Sequence, residues 1–332
     1  MSNKDKRHVV ITGASAGVGR ATAMYFASKG ARLTLLARSQ EGLQNLKDEL
    51  PQAQDRIHLV STDVSNFDQV EKAMQAAVDR FGRIDVWINN AMVSVFSPVS
   101  EMSAEEYKRV TDVTYLGVVN GTLAALKHMR PHGKGVIVQV GSALAYRSIP
   151  LQSAYCAAKH AVIGFTESLR CELLHENSQI QVTVVHLPAI NTPQFDWVKS
   201  RMKNKPQPVP PIFQPEVAAD AIYWASSHPR KEWFIAWPTV KAVWGDRLVP
   251  HYADHYLAQN GFDDQQTEES DSIDRPNNLY SPMPVQYYRS HGRFDKQSTD
   301  WSLQKWFSRH RAVLALGGAV ALSGFFIRRN QR

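Results

Sequence analysis

Thr12-Gly13-Ala14-Ser15-Ala16-Gly17-Val18-Gly19 follows directly on the apolar run His8–Thr12 and leads into a helical pattern ending near Lys29. A short buried strand, a glycine turn and a helix from about Gly19 form the first unit of an alternating chain. Strands are expected at Arg32–Ala37, Ile57–Ser61, Asp85–Asn89, Val136–Val140 and Gln181–Leu187. Helical periodicity separates them at Glu41–Leu50, Phe67–Phe81, Ala104–Met129 and Ser153–Glu176. The strands read as continuous apolar runs, not as alternating ones, so both faces of the sheet are covered. Strict alternation with right-handed crossovers predicts an α/β fold, a doubly wound Rossmann-type parallel sheet of about seven strands with helices on both faces.

Beyond Pro188 the pattern changes. Seven prolines fall in 188–215, predicting a loop with a short helix inside. A helix at Pro215–Ser227, a seventh strand at Trp233–Trp237 and an aromatic helical stretch at Ala242–Asn260 complete an expected domain over 1–260. Residues 261–300 are rich in Asp, Glu, Gln, Ser, Asn and Pro and read as a polar flexible linker. Residues 301–332 read as a basic and hydrophobic C-terminal helix.

A strand feeding a helix through glycines lets backbone N–H groups approach a pyrophosphate, and the helix dipole adds to the attraction. Gly13 permits the tight turn, Gly17 the close approach and Gly19 the helix–strand contact, with Ser15 and Val18 in the same turn. The end of the second strand selects the dinucleotide. An acid there would hold a ribose 2′-hydroxyl, but the chain reads Leu36-Ala37-Arg38-Ser39. A guanidinium can pair with a 2′-phosphate and Ser39 can add a hydrogen bond, so NADP(H) is expected over NAD(H). A solvated surface arginine is the plainer alternative. Asp63-Val64 after the third strand can meet the adenine edge. Asn89-Asn90-Ala91 after the fourth lies at the carboxyl edge, where open sheets bind ligands.

Tyr155 and Lys159 stand four apart and project from one helix face. A tyrosine with pKa near 10 is a poor acid–base group at neutral pH. A nearby ammonium is expected to lower that pKa, so that Tyr155 exchanges a proton with a carbonyl or alcohol oxygen. Lys159 can also hydrogen-bond the nicotinamide ribose. Ser142, after the fifth strand, can hold the substrate oxygen.

Taken together, Thr12-Gly13-x-x-x-Gly17-x-Gly19, Asp63, Asn89-Asn90-Ala91, Gly141-Ser142 and Tyr155-x-x-x-Lys159 resemble the short-chain dehydrogenase/reductase family, in order from residue 8 to about 192. The resemblance implies a hydride transfer between NAD(P)(H) and an alcohol/carbonyl pair, with Tyr155 as acid–base, and a homodimer or homotetramer. It also implies that Pro188 and Thr192 lie against the cofactor, Thr192 at its carboxamide. Three departures stand out. Met92 replaces a glycine; Thr114 occupies the usual asparagine position, which supports a proton-relay water; and Ala189 follows Pro188 where a glycine is usual. Met92 and Thr114 motivate an alternative, a non-catalytic NADP(H)-binding sensor or scaffold at a membrane.

Phe195, Trp197, Met202 and Phe213, with Trp224, Trp233, Trp237 and Trp244, would suit an apolar or bulky substrate, although such residues more often form core or oligomer contacts. The net charge of +7 resides wholly in 289–332, which holds nine Lys/Arg and two acids. The preceding domain is balanced, so no nucleic-acid partner is expected. No metal site is expected either. Cys156 and Cys171, about 22 Å apart on one helix, cannot bridge, which fits a reducing compartment. The N-terminus leaves no room for a cleaved signal peptide. Residues 312–327 carry no charge over sixteen positions and as a helix would span about 24 Å. Flanking Arg311 and Arg328, interfacial Trp301, Trp306 and Phe307, and small residues Gly317, Ala321 and Gly324 make a membrane anchor the expectation, with the catalytic domain facing the cytoplasm.

Overall fold

The computed structural model describes residues 5–309 apart from 273 and 305. Seven parallel strands form the sheet: β1 (His8–Thr12), β2 (Arg32–Ala37), β3 (Ile57–Ser61), β4 (Val86–Asn89), β5 (Lys134–Ser142), β6 (Gln179–Leu187) and β7 (Glu232–Phe234). Their order is β7-β6-β5-β4-β1-β2-β3. The chain runs outward from β1 through β2 to β3, then returns to β4 on the other side of β1. That reversal opens a crevice at the carboxyl ends of β1 and β4, the place where doubly wound sheets bind ligands.

Strand pleating splits the core in two. Val9, Ile11, Leu33, Leu35, Val86 and Ile88 pack toward α1 (Gly17–Lys29), α2 (Gln40–Asp48) and the helix Pro215–Ser227. Val10, Leu36, Trp87 and Ile137 face α3 (Phe67–Phe81), α5 (Gly117–His132) and α6 (Ser153–His175). Alternate residues of one strand therefore serve opposite layers. Such strands must be apolar throughout.

Two expected helices are interrupted. The run expected as one helix over Ala104–Met129 consists of α4 (Ala104–Thr111), a π turn at Asp112–Leu116, and α5. The stretch Ala242–Asn260 is two helices, Ala236–Leu248 and Pro250–Asn260. Pro250 has no N–H to continue the first and fits the opening position of the second. The seventh strand ends at Phe234 rather than Trp237, because helix begins at Ala236.

Residues 261–300 depart from the expected flexible linker. Gln265 and Leu279 are fully buried, Met283 and Phe294 nearly so. Gln266–Ser270 pairs with Asn204–Pro206, and Ser298–Thr299 pairs with Ile212–Phe213. Farther on, Gln304 donates to the Phe234 carbonyl and Arg309 pairs with Asp220. The approach to the C-terminal apolar segment is thus packed on the domain. Residues 312–327 lie outside the described residues, and among the described residues no helix is long and apolar enough to cross a membrane.

Candidate active site

The crevice is a cleft of about 920 Å³. The turn after β1 forms one wall, contributing Gly13, Ser15, Gly17 and Val18. Gly13 and Gly17 have φ of +65° and +54°, in the left-handed region that favours glycine. A Cβ on Gly13 would lie 2.7 Å from the Ala91 Cα, and one on Gly19 would lie 2.2 Å from the Gly13 carbonyl oxygen. Gly19 does not line the cleft; it lets α1 close on the turn, as the sequence suggested. α1 begins at Ala16 without a side-chain cap, and its first turn carries no acid. No side-chain anion therefore meets the N-terminal end of its dipole, and the Gly17 N–H donates instead to the Arg289 carbonyl at 2.9 Å.

β4 meets this wall through hydrogen bonds. Asn90 donates its side-chain amide to the Thr12 and Gly13 carbonyls, and the Thr12 hydroxyl accepts from the backbone N–H of both Asn90 and Ala91. Asn89 is buried behind, bonded to Thr122 and Gln139. Asn90 and Ala91 line the cleft.

At the far end Arg38, Ser39, Asp63 and Val64 line the cleft. Arg38 donates to the Asn278 carbonyl at 2.5 Å and to the Tyr280 carbonyl at 2.9 Å. Both terminal nitrogens of the guanidinium are thus engaged by main-chain carbonyls. Asp63 is engaged by Arg109 at 2.8 Å and by the Ser65 hydroxyl and amide. Burial opposes its ionisation, but these bonds outweigh it and hold the carboxyl below the usual range. The Ser39 hydroxyl caps α2 by accepting from the Gly42 N–H.

β5 and α6 bring the reacting groups together. Ser142 closes β5, paired with Leu187 of β6, and its hydroxyl accepts from the Leu144 N–H. Tyr155 and Lys159 occupy the first two turns of α6 and face the same cleft. The Lys159 ammonium donates to the Val140 carbonyl at 2.7 Å and stands 5.6 Å from the centre of the Tyr155 ring. Burial lowers the Lys159 pKa to about 8. The expectation that Lys159 lowers the Tyr155 pKa does not hold. Burial pushes Tyr155 well above 10, and the Ser142 hydroxyl offsets this only in part. The Lys159 ammonium directs a hydrogen bond to the Val140 carbonyl, not to the phenol.

Thr114 sits in the π turn, fully buried, and is not among the cleft-lining residues. Its hydroxyl donates to the Val93 carbonyl at 2.8 Å and accepts from the Val93 N–H at 3.1 Å. It clamps the segment that follows Asn90-Ala91 and is not placed as a catalytic group. Met92 lines the cleft. Pro188 and Thr192 also line it, with Thr192 packed on Gly17.

Of the apolar residues expected on the substrate side, Phe195, Trp197 and Trp237 reach the cleft. Phe213 and Trp233 belong to the core instead, and Trp224 stacks on His228. The sequence reading missed Val249, Tyr252 and Tyr256 at the mouth, and Asn278, Pro282, Met283 and Tyr288 beside the turn.

The short chain dehydrogenase family matches residues 7–203, more than half of the chain. The chain belongs to that family and is an oxidoreductase of the NAD(P)-dependent type. It is 35% identical over 274 residues to the uncharacterized oxidoreductase YxnA of Bacillus subtilis, covering 82% of this chain and 77% of that protein. It is 37% identical over 193 residues to levodione reductase of Leifsonia aquatica, covering 57% of this chain and 72% of that enzyme. Among solved structures, a short chain dehydrogenase/reductase from Burkholderia phymatum in complex with NAD superposes with a TM-score of 0.66 at 25% identity, over 82% of this chain and all of that one. An alcohol dehydrogenase from Thermococcus sibiricus complexed with 5-hydroxy-NADP gives 0.59 at 27% identity, over 70% and 96%.

Proposed function

We propose that the protein transfers a hydride between NADP(H) and an apolar or bulky carbonyl/alcohol substrate, with Tyr155 as the acid–base group. The observation that carries this reading is the convergence of Ser142, Tyr155 and Lys159 on the same cleft as the glycine turn before α1 and Arg38. The glycine turn and the α1 amides would hold the pyrophosphate, and Arg38 with Ser39 the 2′-phosphate. Asp63 and Val64 would flank the adenine, with Asn90, Ala91, Pro188 and Thr192 along the rest of the dinucleotide. The bound nicotinamide supplies or accepts the hydride. Tyr155, kept protonated by burial, gives its proton to the substrate oxygen, Ser142 fixes that oxygen, and Lys159 bonds the nicotinamide ribose.

The substrate class rests on the mouth of the cleft. Trp237, Val249, Tyr252 and Tyr256 line it while remaining exposed, beside buried Trp197. Exposed aromatic and aliphatic surface leading into an active-site cleft fits an apolar or bulky partner. Self-association is part of the same proposal: Leu116, at the end of the π turn, and Leu123 of α5 are exposed seven residues apart, an apolar face that a second copy would cover.

The test is a panel of ketones, aldehydes and alcohols assayed with NADPH or NADP+, on wild type and on Tyr155→Phe. Turnover that depends on Tyr155 supports the proposal. Tight nucleotide binding with no Tyr155-dependent rate on any substrate refutes it.

A further inference from the structure

The segment from Asn277 to Gly292 crosses the nucleotide end of the cleft and bonds to groups that would meet the phosphates. Arg289 offers its carbonyl to the Gly17 N–H, the first amide of α1, at 2.9 Å. Arg38 holds the Asn278 and Tyr280 carbonyls, and Arg109 holds the Leu279 carbonyl at 3.0 Å. Leu279 is fully buried in the same apolar cluster as Val64 and Val113. The Tyr288 ring lies over Gly42, so close that a Cβ there would sit 2.7 Å from a ring carbon. Asn278, Pro282, Met283 and Tyr288 line the cleft together with Gly13, Val18 and Arg38. The segment thus borders the same cleft as the glycine turn, a roof at its nucleotide end, and of the turn's amides its Arg289 carbonyl takes that of Gly17.

The roof is also tied to the substrate side. Asp196, in the short helix Gln194–Trp197, pairs with Arg289 at 2.6 Å and Arg293 at 2.5 Å. Arg275 donates to the Phe195, Asp196 and Val198 carbonyls from the other end. Asp196, Arg289 and Arg293 do not line the cleft. Their side chains therefore act on a bound nucleotide only through the backbone they hold, the segment on one side and the short helix on the other.

We propose that residues 277–292 form a clasp over the dinucleotide site, that the clasp must open for nucleotide to enter or leave, and that Asp196 holds it shut from the substrate loop. The proposal rests on the nucleotide site described above. Partly exposed ion pairs are individually weak, so opening is a local event well short of unfolding. Nucleotide exchange is then set by clasp opening, and anything that moves the short helix carrying Asp196 also changes nucleotide retention.

The experiment measures association and dissociation of NADPH and of NADH by stopped-flow fluorescence on the full chain, for wild type, Asp196→Asn and Gly42→Ala. Gly42→Ala favours helix and wedges Tyr288 outward. Both variants are expected to speed association and dissociation together, by about 3- to 10-fold for the loss of partly exposed charge pairs. Hydrogen exchange of amides in 277–292 is expected to slow when nucleotide is bound. Unchanged rates in both variants, or exchange in 277–292 indifferent to saturating nucleotide, overturns the clasp. If Asp196→Asn fails to fold, Gly42→Ala decides. Tight NADH with weak NADPH overturns only the 2′-phosphate reading, and the clasp is then judged on the NADH rates. Absence of binding by either nucleotide overturns both.

Discussion

Lys159 donates to the main-chain carbonyl of Val140, not to Tyr155. The bond fixes the ammonium between β5 and α6, in a pocket where burial has lowered its pKa to about 8. A ribose hydroxyl arriving beside it would accept from the charged form. Binding therefore favours the protonated lysine, and nucleotide affinity should be full below pH 8 and fall as pH rises through that value. Titration of NADPH binding between pH 6.5 and 9.5 by fluorescence checks this. Lys159→Met should bind more weakly and lose the slope; a slope that survives the substitution assigns the titration to another group.

Tyr155 lies on the other side of the balance. Burial raises its pKa, so the phenol stays protonated throughout the neutral range. Reduction, which consumes that proton, is then favoured over oxidation at pH 7, and the oxidative rate should climb with pH toward 10. Tyr155→Phe removes the proton and should cost roughly 10²–10⁴ in kcat in either direction. Nucleotide dissociation constants for wild type and variant separate the chemistry from binding: they should agree within a few-fold.

Much of this site could be read from the chain because its parts are local. Tyr155 and Lys159 share a face by helical spacing alone, and the glycine turn announces itself by lying between an apolar strand and a helix. The roof carried no such mark. Leu279, Met283 and Phe294 are buried, yet their spacing follows neither helix nor strand, and the surrounding polar residues give the segment the average composition of a linker. Its anchors are main-chain carbonyls of Asn278, Tyr280 and Arg289, and every residue has a carbonyl. The donors to these carbonyls are Arg38 and the Gly17 N–H, both read from the sequence as cofactor ligands, while Arg109, which holds the Leu279 carbonyl, carried no mark of its own. The π turn at Asp112–Leu116 was hidden for a related reason, since one extra residue in a turn barely disturbs an apolar pattern. The break at Val249–Pro250, by contrast, was written in the proline.

Thr114 illustrates how a residue at a family position can be rebuilt into the scaffold. Its hydroxyl both donates to and accepts from the backbone of Val93, which follows Asn90-Ala91-Met92 into the cleft. Thr114→Val keeps the shape and strands a buried N–H and C=O. The expected loss is about 1–3 kcal/mol, read as a lowered denaturation midpoint. NADPH affinity should fall with it, because the clamped segment lines the cleft. A variant as stable as wild type would show that the clamp is dispensable.

Arg38 faces two claimants, the clasp carbonyls and the proposed 2′-phosphate. Arg38→Asp removes the guanidinium and places a carboxylate near where the phosphate would sit. It also frees the Asn278 and Tyr280 carbonyls, which loosens the roof for either nucleotide. The informative quantity is therefore the ratio of dissociation constants for NADPH and NADH, in which loosening cancels. That ratio should rise by about 30-fold or more, the scale for replacing a partner of a desolvated charge pair. If both constants rise in step, Arg38 serves the clasp alone and the preference for NADP(H) has no support from this residue.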